Sequence, residues 1–214
     1  MKALDALRIL AGLMASQRGF VTTAQAERAG VSRQALARLE GSGHIERVMP
    51  AVYRSCAAPS TREERVYAAW LILDRTKYAW ERTRDENDAV ASHATAAWLM
   101  GLGELNPEPL TFTSVERKQV RRCGIRTVKS RLQAQDVILV NSIPTTSPER
   151  TVLDLLRDGE DESLVANVLR DFASGGTTPI SQAFRRRVDG MATRYGHPAG
   201  YPLFDAMIME GARA

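Results

Sequence analysis

With 214 residues, 44% of them hydrophobic and 25% charged, the chain has the composition of a soluble globular protein able to bury one or two cores. No apolar run approaches the roughly 18 residues needed to cross a bilayer, so no membrane role is expected. Its two cysteines, Cys56 and Cys123, are too few and too distant for a disulfide framework or a zinc site, which points to a reducing cytoplasm.

The formal net charge is +4, and its placement is uneven. Residues 1–58 hold eight Lys and Arg against four acids, whereas the remainder holds 21 of each. A small basic unit joined to a larger neutral one suggests a polyanionic partner for the first. The apolar residues Leu4, Leu7, Leu10, Leu13 and Met14 recur at helical spacing, which reads as an amphipathic helix over 4–16 rather than a leader. Thr22 with Gln25 forms a capping box that opens a second helix, and Gly30 closes it in a left-handed conformation. Ser32 caps a third helix over about 33–40, ended by the flexible "GSG" of 41–43. "HIERV" and "VYR" then alternate as strands around a tight turn at Met49-Pro50-Ala51. Three helices, a short link between the second and third, and a small hairpin are the pattern of a winged helix-turn-helix over 1–56.

On the third helix, Leu36 and Leu39 share the buried side, while Arg33, Gln34, Ala37 and Arg38 lie opposite. Arg can hold guanine and Gln can hold adenine through paired hydrogen bonds, and Ala37 permits close approach to the groove floor. Ser32 and the first free amides of the helix suit a phosphate. Arg47 and Arg54 are the expected wing contacts with the backbone. The plainer alternative is a solvated polar face on a structural unit.

"CAAPST" (56–61) reads as a linker, and 62–214 as a larger unit of mixed α and β structure, making the chain α+β overall. Ser60 and Glu63 suggest a capping box opening one long helix over 62–80, and Ser92 caps a helix at "HATAAWLMGL". Strands are expected at 110–115, 125–131 and 136–143. Helices follow at "SPERTVLDLL" (Ser147 as cap, Pro148 at its first position) and over 161–173, 179–195 and 202–210.

Three blocks, "GVSRQALARLEGSGHIERVMPAVYRS", "SHATAAWLMGLGEL" and "IPTTSPERTVLDLL", resemble in order and spacing the AbiEi family, antitoxins and transcriptional regulators of bacterial abortive-infection systems. The similarity covers about residues 3–156. It implies an N-terminal domain that binds an inverted repeat in its own promoter, as a monomer or a homodimer on double-stranded DNA, and represses its own operon. It also implies a C-terminal domain that counters a nucleotidyltransferase-type toxin, directly or without a stable complex. Family members usually carry Gly before "VY", where this chain has Ala51. A positive φ there would cost alanine about 1–2 kcal/mol.

The remaining candidates carry less chemistry. "RKQVRRCGIRTVKSR" (117–131) has seven cations, Arg117, Lys118, Arg121, Arg122, Arg126, Lys129 and Arg131, and no acid. It reads as a second nucleic-acid surface, as a face that meets an acidic partner, or as a guarded sheet edge. "RRR" at 185–187 spans three faces of a helix and suggests solvation. Ser92 and His93 would diverge by about 100° on a helix, so they do not read as a nucleophile and base. Glu149 and Asp154 admit a metal-nuclease reading, but Arg150 and Asp154 more simply form an intrahelical ion pair. Trp70, Trp80 and Trp98 read as core. No metal, cofactor or enzymatic activity is expected. Two other functions stay open: a winged-helix regulator whose second unit senses a ligand or protein, and a DNA-targeted nuclease.

Overall fold

The computed structural model describes residues 3–83, 88–116, 124–175 and 180–210. Its N-terminal unit runs α1 (Ala3–Ala15), β1 (Phe20–Thr22), α2 (Thr23–Arg28), α3 (Arg33–Gly41), β2 (Ile45–Met49) and β3 (Val52–Ser55). The caps form where the side chains require them. Gln25 N donates to Thr22 Oγ1 at 3.0 Å, and Thr22 N to Gln25 Oε1 at 2.9 Å. Gly30 turns the chain at φ +84°, and Ala35 N donates to Ser32 Oγ at 3.3 Å. Ala6, Leu10 and Met14 of α1 meet Leu36 and Leu39 of α3 in a core closed by Val31, Ile45 and Tyr53.

The strand β1 was not expected from the sequence. It pairs antiparallel with β3, giving a three-stranded sheet in the order β1-β3-β2. At the wing's tip Ala51 adopts φ +66°, the conformation for which glycine is suited, and its carbonyl accepts Thr23 N at 2.9 Å. Ala51→Gly should therefore relieve left-handed strain, partly offset by the greater freedom of glycine in the unfolded chain. We expect a net gain of about 0.5–1 kcal/mol in urea unfolding. A loss of stability would show that the Ala51 methyl contributes packing that outweighs its strain.

The larger unit contains α4 (Glu64–Leu73), α5 (Ala79–Arg82), β4 (Val90–Ala91), α6 (His93–Met100), β5 (Leu110–Ser114), β6 (Ile125–Lys129), β7 (Val137–Val140) and β8 (Ile143–Thr146). It ends with α7 (Pro148–Asp158), α8 (Glu162–Gly175), α9 (Gln182–Asp189), a 3-10 turn at Ala192–Tyr195, and α10 (Leu203–Glu210). The five-stranded mixed sheet has the order β6-β5-β4-β8-β7. The chain is thus α+β, a winged helix-turn-helix followed by a mixed unit with a sheet flanked by helices.

Three expected elements divide. The helix expected over 179–195 ends as α9 at Asp189 and is followed by the separate 3-10 turn at Ala192–Tyr195. The helix expected over 62–80 stops at Asp74, whose Oδ1 accepts Thr76 Oγ1 at 3.0 Å and faces the Thr76 and Lys77 amides at 3.4 Å. An Asp side chain offers the backbone that alternative to a further helical turn. No Ser60–Glu63 capping box forms: Ser60 Oγ donates instead to Glu64 Oε2 at 3.0 Å. The strand expected at 136–143 is half of the β7-β8 hairpin, turned by Asn141 and Ser142 at φ +48° and +64°.

The two units share a core. Phe20, Met49 and Val52 of the wing sheet join Tyr67, Trp70 and Leu71 of α4, with Phe112 and Ile143 of the larger sheet, in one apolar cluster. Beside it, the fully buried amides of Gln17 and Gln25 bond to one another at 3.1 and 3.2 Å. Their remaining groups reach across the junction: Gln25 Nε2 donates to Lys77 O at 2.7 Å, and Gln17 Oε1 accepts Ala79 N at 2.8 Å. Burying amides is tolerable because each is satisfied.

Candidate nucleic-acid interface

The nine-residue helix α3 divides cleanly by face. Ala35, Leu36 and Leu39 are buried, whereas Ser32, Arg33, Gln34, Ala37 and Arg38 are exposed. Residues three and four apart stack along one side, so the exposed set forms a continuous strip. Arg33 Nε holds Glu27 Oε1 at 2.7 Å while its side chain remains 77% exposed. Arg38 has no acidic partner among the described residues. Beside the helix runs a groove of about 380 Å³, lined by Glu27, Arg33, Ala37, Arg47, Tyr53 and Arg75 among others.

Arg47 is aimed by two partners. Its Nη2 donates to Glu40 Oε2 and to the Tyr53 hydroxyl, both at 2.9 Å, and its guanidinium lies 5.2 Å from the centre of the Tyr53 ring. The bond to Glu40 raises its pKa above the ordinary arginine value, so the charge is permanent. Arg54 differs. It sits on β3, the middle strand, one residue from Tyr53 and therefore on the opposite face of the sheet. That face looks onto the larger unit. Arg54 is paired with Glu46, Glu64 and the Ala58 carbonyl, and its side chain is only 12% exposed. The expectation that Arg54 reaches DNA from the wing does not hold in this conformation.

Within the basic stretch 117–131, Arg117, Lys118, Arg121 and Arg122 lie outside the described residues. Arg126, on the edge strand β6, is held by both oxygens of Asp158 at 2.5 and 2.6 Å, tying the sheet edge to α7. Lys129 and Arg131 are exposed. Of the "RRR" run, Arg185 pairs with Asp205 at 3.2 Å and Arg186 and Arg187 face solvent.

Sequence spacing misjudged Ser92 and His93. Ser92 is extended and His93 takes φ +55°, so the helical divergence does not apply and His93 Nδ1 lies 3.0 Å from Ser92 Oγ. Ser92 occupies the cap position without capping. Its hydroxyl accepts Thr113 Oγ1 at 2.9 Å. Ser92 is fully buried and His93 nearly so, which leaves a substrate no route to the serine. Burial lowers the His93 pKa below its ordinary 6.5, opposed by Asp154 and Asp158 and reinforced by Arg126 and Arg150. The unfolded chain then binds the proton first, so this contribution is full above pH 6.5 and declines as pH falls towards the folded value. Urea midpoints should drop as the pH falls below 6.5, and His93→Gln should flatten that slope. An equal slope in the variant would assign the dependence to another group.

Asp154 is committed as the sequence suggested. Its carboxylate receives Arg150 Nε at 2.8 Å and Arg157 Nη1 at 3.2 Å, while Arg150 also reaches Asp136 at 2.9 Å. Among the described residues no group of His, Cys, Asp and Glu is arranged to hold a metal ion. Trp70 is core and Trp98 packs on it, whereas Trp80 is 42% exposed and stacked on Tyr78.

The crystal structure of the RV2827C protein from Mycobacterium tuberculosis is similar over 95% of this chain and 80% of that one. Its TM-score is 0.52 at 15% identity, a likeness of fold. No curated protein matches. Residues 9–55 match the family model of the AbiEi antitoxin transcriptional regulators, over α2, α3 and the wing and most of α1. The winged-helix unit, over residues 9–55, is thus similar to the AbiEi antitoxin transcriptional regulators.

Proposed function

We propose that the chain is a cytoplasmic repressor of its own operon that binds an inverted repeat in double-stranded DNA, and that it serves as antitoxin to a nucleotidyltransferase-type toxin. The observation that carries the DNA reading is the uncovered strip of α3, with Ser32, Arg33, Gln34, Ala37 and Arg38 exposed beside the wing. A capped helix of that width enters a major groove, its side chains meeting base edges and its flanks meeting phosphates. Arg47 supports the wing contact, since its partners hold the guanidinium at the groove wall. The likeness to the AbiEi family supports both the regulator and antitoxin roles. The basic stretch of Arg117, Lys118, Arg121, Arg122, Arg126, Lys129 and Arg131 is retained as a second polyanion surface in this proposal, with Arg126 the least free of the described members.

A mobility-shift titration against the chain's own upstream duplex tests the reading. Specific binding should exceed that to an unrelated duplex by about 10³-fold or more, and should weaken linearly in log–log coordinates as salt rises. Equal affinity for both duplexes would overturn the repressor role. Co-expression with a nucleotidyltransferase-type toxin, should its gene lie directly downstream, tests the antitoxin role: rescue of growth supports it, and undiminished toxicity or the absence of such a gene refutes it.

A further inference from the structure

The groove beside α3 is not built by the winged helix alone. Arg75, from the turn between α4 and α5 in the larger unit, lines it together with Arg33, Ala37 and Arg47. Three consecutive carbonyls of that turn are gripped from the winged helix. Thr22 Oγ1 donates to Arg75 O at 2.5 Å, Arg28 Nη1 to Thr76 O at 3.3 Å, and Gln25 Nε2 to Lys77 O at 2.7 Å. All three donors belong to α2 or its cap, the element that precedes the recognition helix. On the other side, Asp74 closes the turn onto Thr76.

With its carbonyls drawn towards α2, the turn leaves the Arg75 side chain exposed. Other arginines at this junction are committed: Arg18 to Glu63, Arg28 to Glu81, Arg54 to Glu46 and Glu64, Arg82 to Asp88. Arg75 has no acidic partner among the described residues. The groove it borders carries three arginines against the single carboxylate of Glu27. A cation carried on a backbone tethered beside the recognition helix, unneutralised and facing solvent, fits the evenly spaced charges of a sugar-phosphate backbone.

Resting on the DNA-binding reading above, we propose that the 74–77 turn is a further arm of the duplex-binding surface, supplied by the larger unit, with Arg75 contacting a backbone phosphate. Its backbone tether makes this contact a fixed part of the surface. The contact carries no sequence information, so its signature differs from that of a base-reading residue.

Fluorescence-anisotropy titrations at four salt concentrations, on the upstream duplex and an unrelated duplex, test it with Arg75→Ala, Arg75→Lys and Arg187→Ala. The turn's bonds to the winged helix use backbone carbonyls, which alanine retains. Arg75→Ala should weaken both duplexes alike by about five- to tenfold and reduce the salt slope by about 1, leaving their affinity ratio unchanged. Arg75→Lys should restore most of both, and Arg187→Ala on α9 should behave as wild type. An unaltered slope and affinity in Arg75→Ala, with wild type binding normally, overturns the Arg75 assignment alone. A wild-type chain with no affinity for any duplex overturns the DNA-binding reading and this proposal with it.

Discussion

Arg38→Ala is expected to lower affinity for the operator by about 5- to 150-fold, the range for one base-reading arginine, while changing binding to unrelated duplexes little. The asymmetry follows from where Arg38 stands. It is exposed on the outward strip of α3, four residues beyond Gln34 and one turn along the same side. It has no ion-pair partner among the described residues, so nothing is given up in the free protein when the guanidinium turns to guanine. Arg33, by contrast, is held by Glu27 at 2.7 Å and would have to give up that pair to contact a duplex, so its truncation should cost less. Anisotropy titrations on the operator, an unrelated duplex and operators altered one base pair at a time measure this directly. Relaxed preference at one base pair in the variant identifies the base that Arg38 reads. A uniform loss on every duplex would make Arg38 a phosphate contact instead.

The winged helix was legible because its signals are local. A Thr22–Gln25 capping box, a glycine where φ turns positive and a serine three residues before the amide it receives each specify geometry within a few residues. Ala51 was legible in the same way: only the backbone of a tight wing turn demands its positive φ. What escaped depends on partners distant in sequence. The strands β1 and β4 have three and two residues, too few to show a period, and exist because β3, β5 and β8 lie alongside them.

Arg54 was misplaced for a related reason. Alternation told that it opposes Tyr53, but which face of the hairpin is covered was settled by α4, which packs on Met49 and Val52 from that side. Arg75 lay inside an expected long helix, and its site came into view only because Asp74 ends that helix against α2. Ser92 and His93 came together because φ at His93 is positive, which neither residue type announces.

Arg82→Met should destabilise the protein by about 3–5 kcal/mol, a large part of the 5–15 kcal/mol typical of a folded domain. Arg82 has no exposed surface. Its Nε donates to Asp88 Oδ2 at 2.5 Å, Nη2 to Asp88 Oδ1 at 3.1 Å, and Nη1 to the Trp70 carbonyl at 2.5 Å. The guanidinium also lies 4.0 Å from the centre of the Trp70 ring. Removing it leaves the buried Asp88 carboxylate without its guanidinium and a buried carbonyl without its donor, and each of these losses is costly in a low-dielectric interior. The pair as a whole need not be strongly stabilising, because both charges were stripped of water to form it. Arg82→Met with Asp88→Leu should therefore recover most of the loss, and urea unfolding of the two single variants and the double variant separates these contributions. A single variant as stable as wild type would mean that the pair is not desolvated as placed. Arg82 also ends α5, whose first residue Ala79 donates its amide to Gln17 across the junction. A loosened α5 should free the 74–77 turn as well, so the single variant should lose duplex affinity under conditions where it is still folded, and the double variant should regain it.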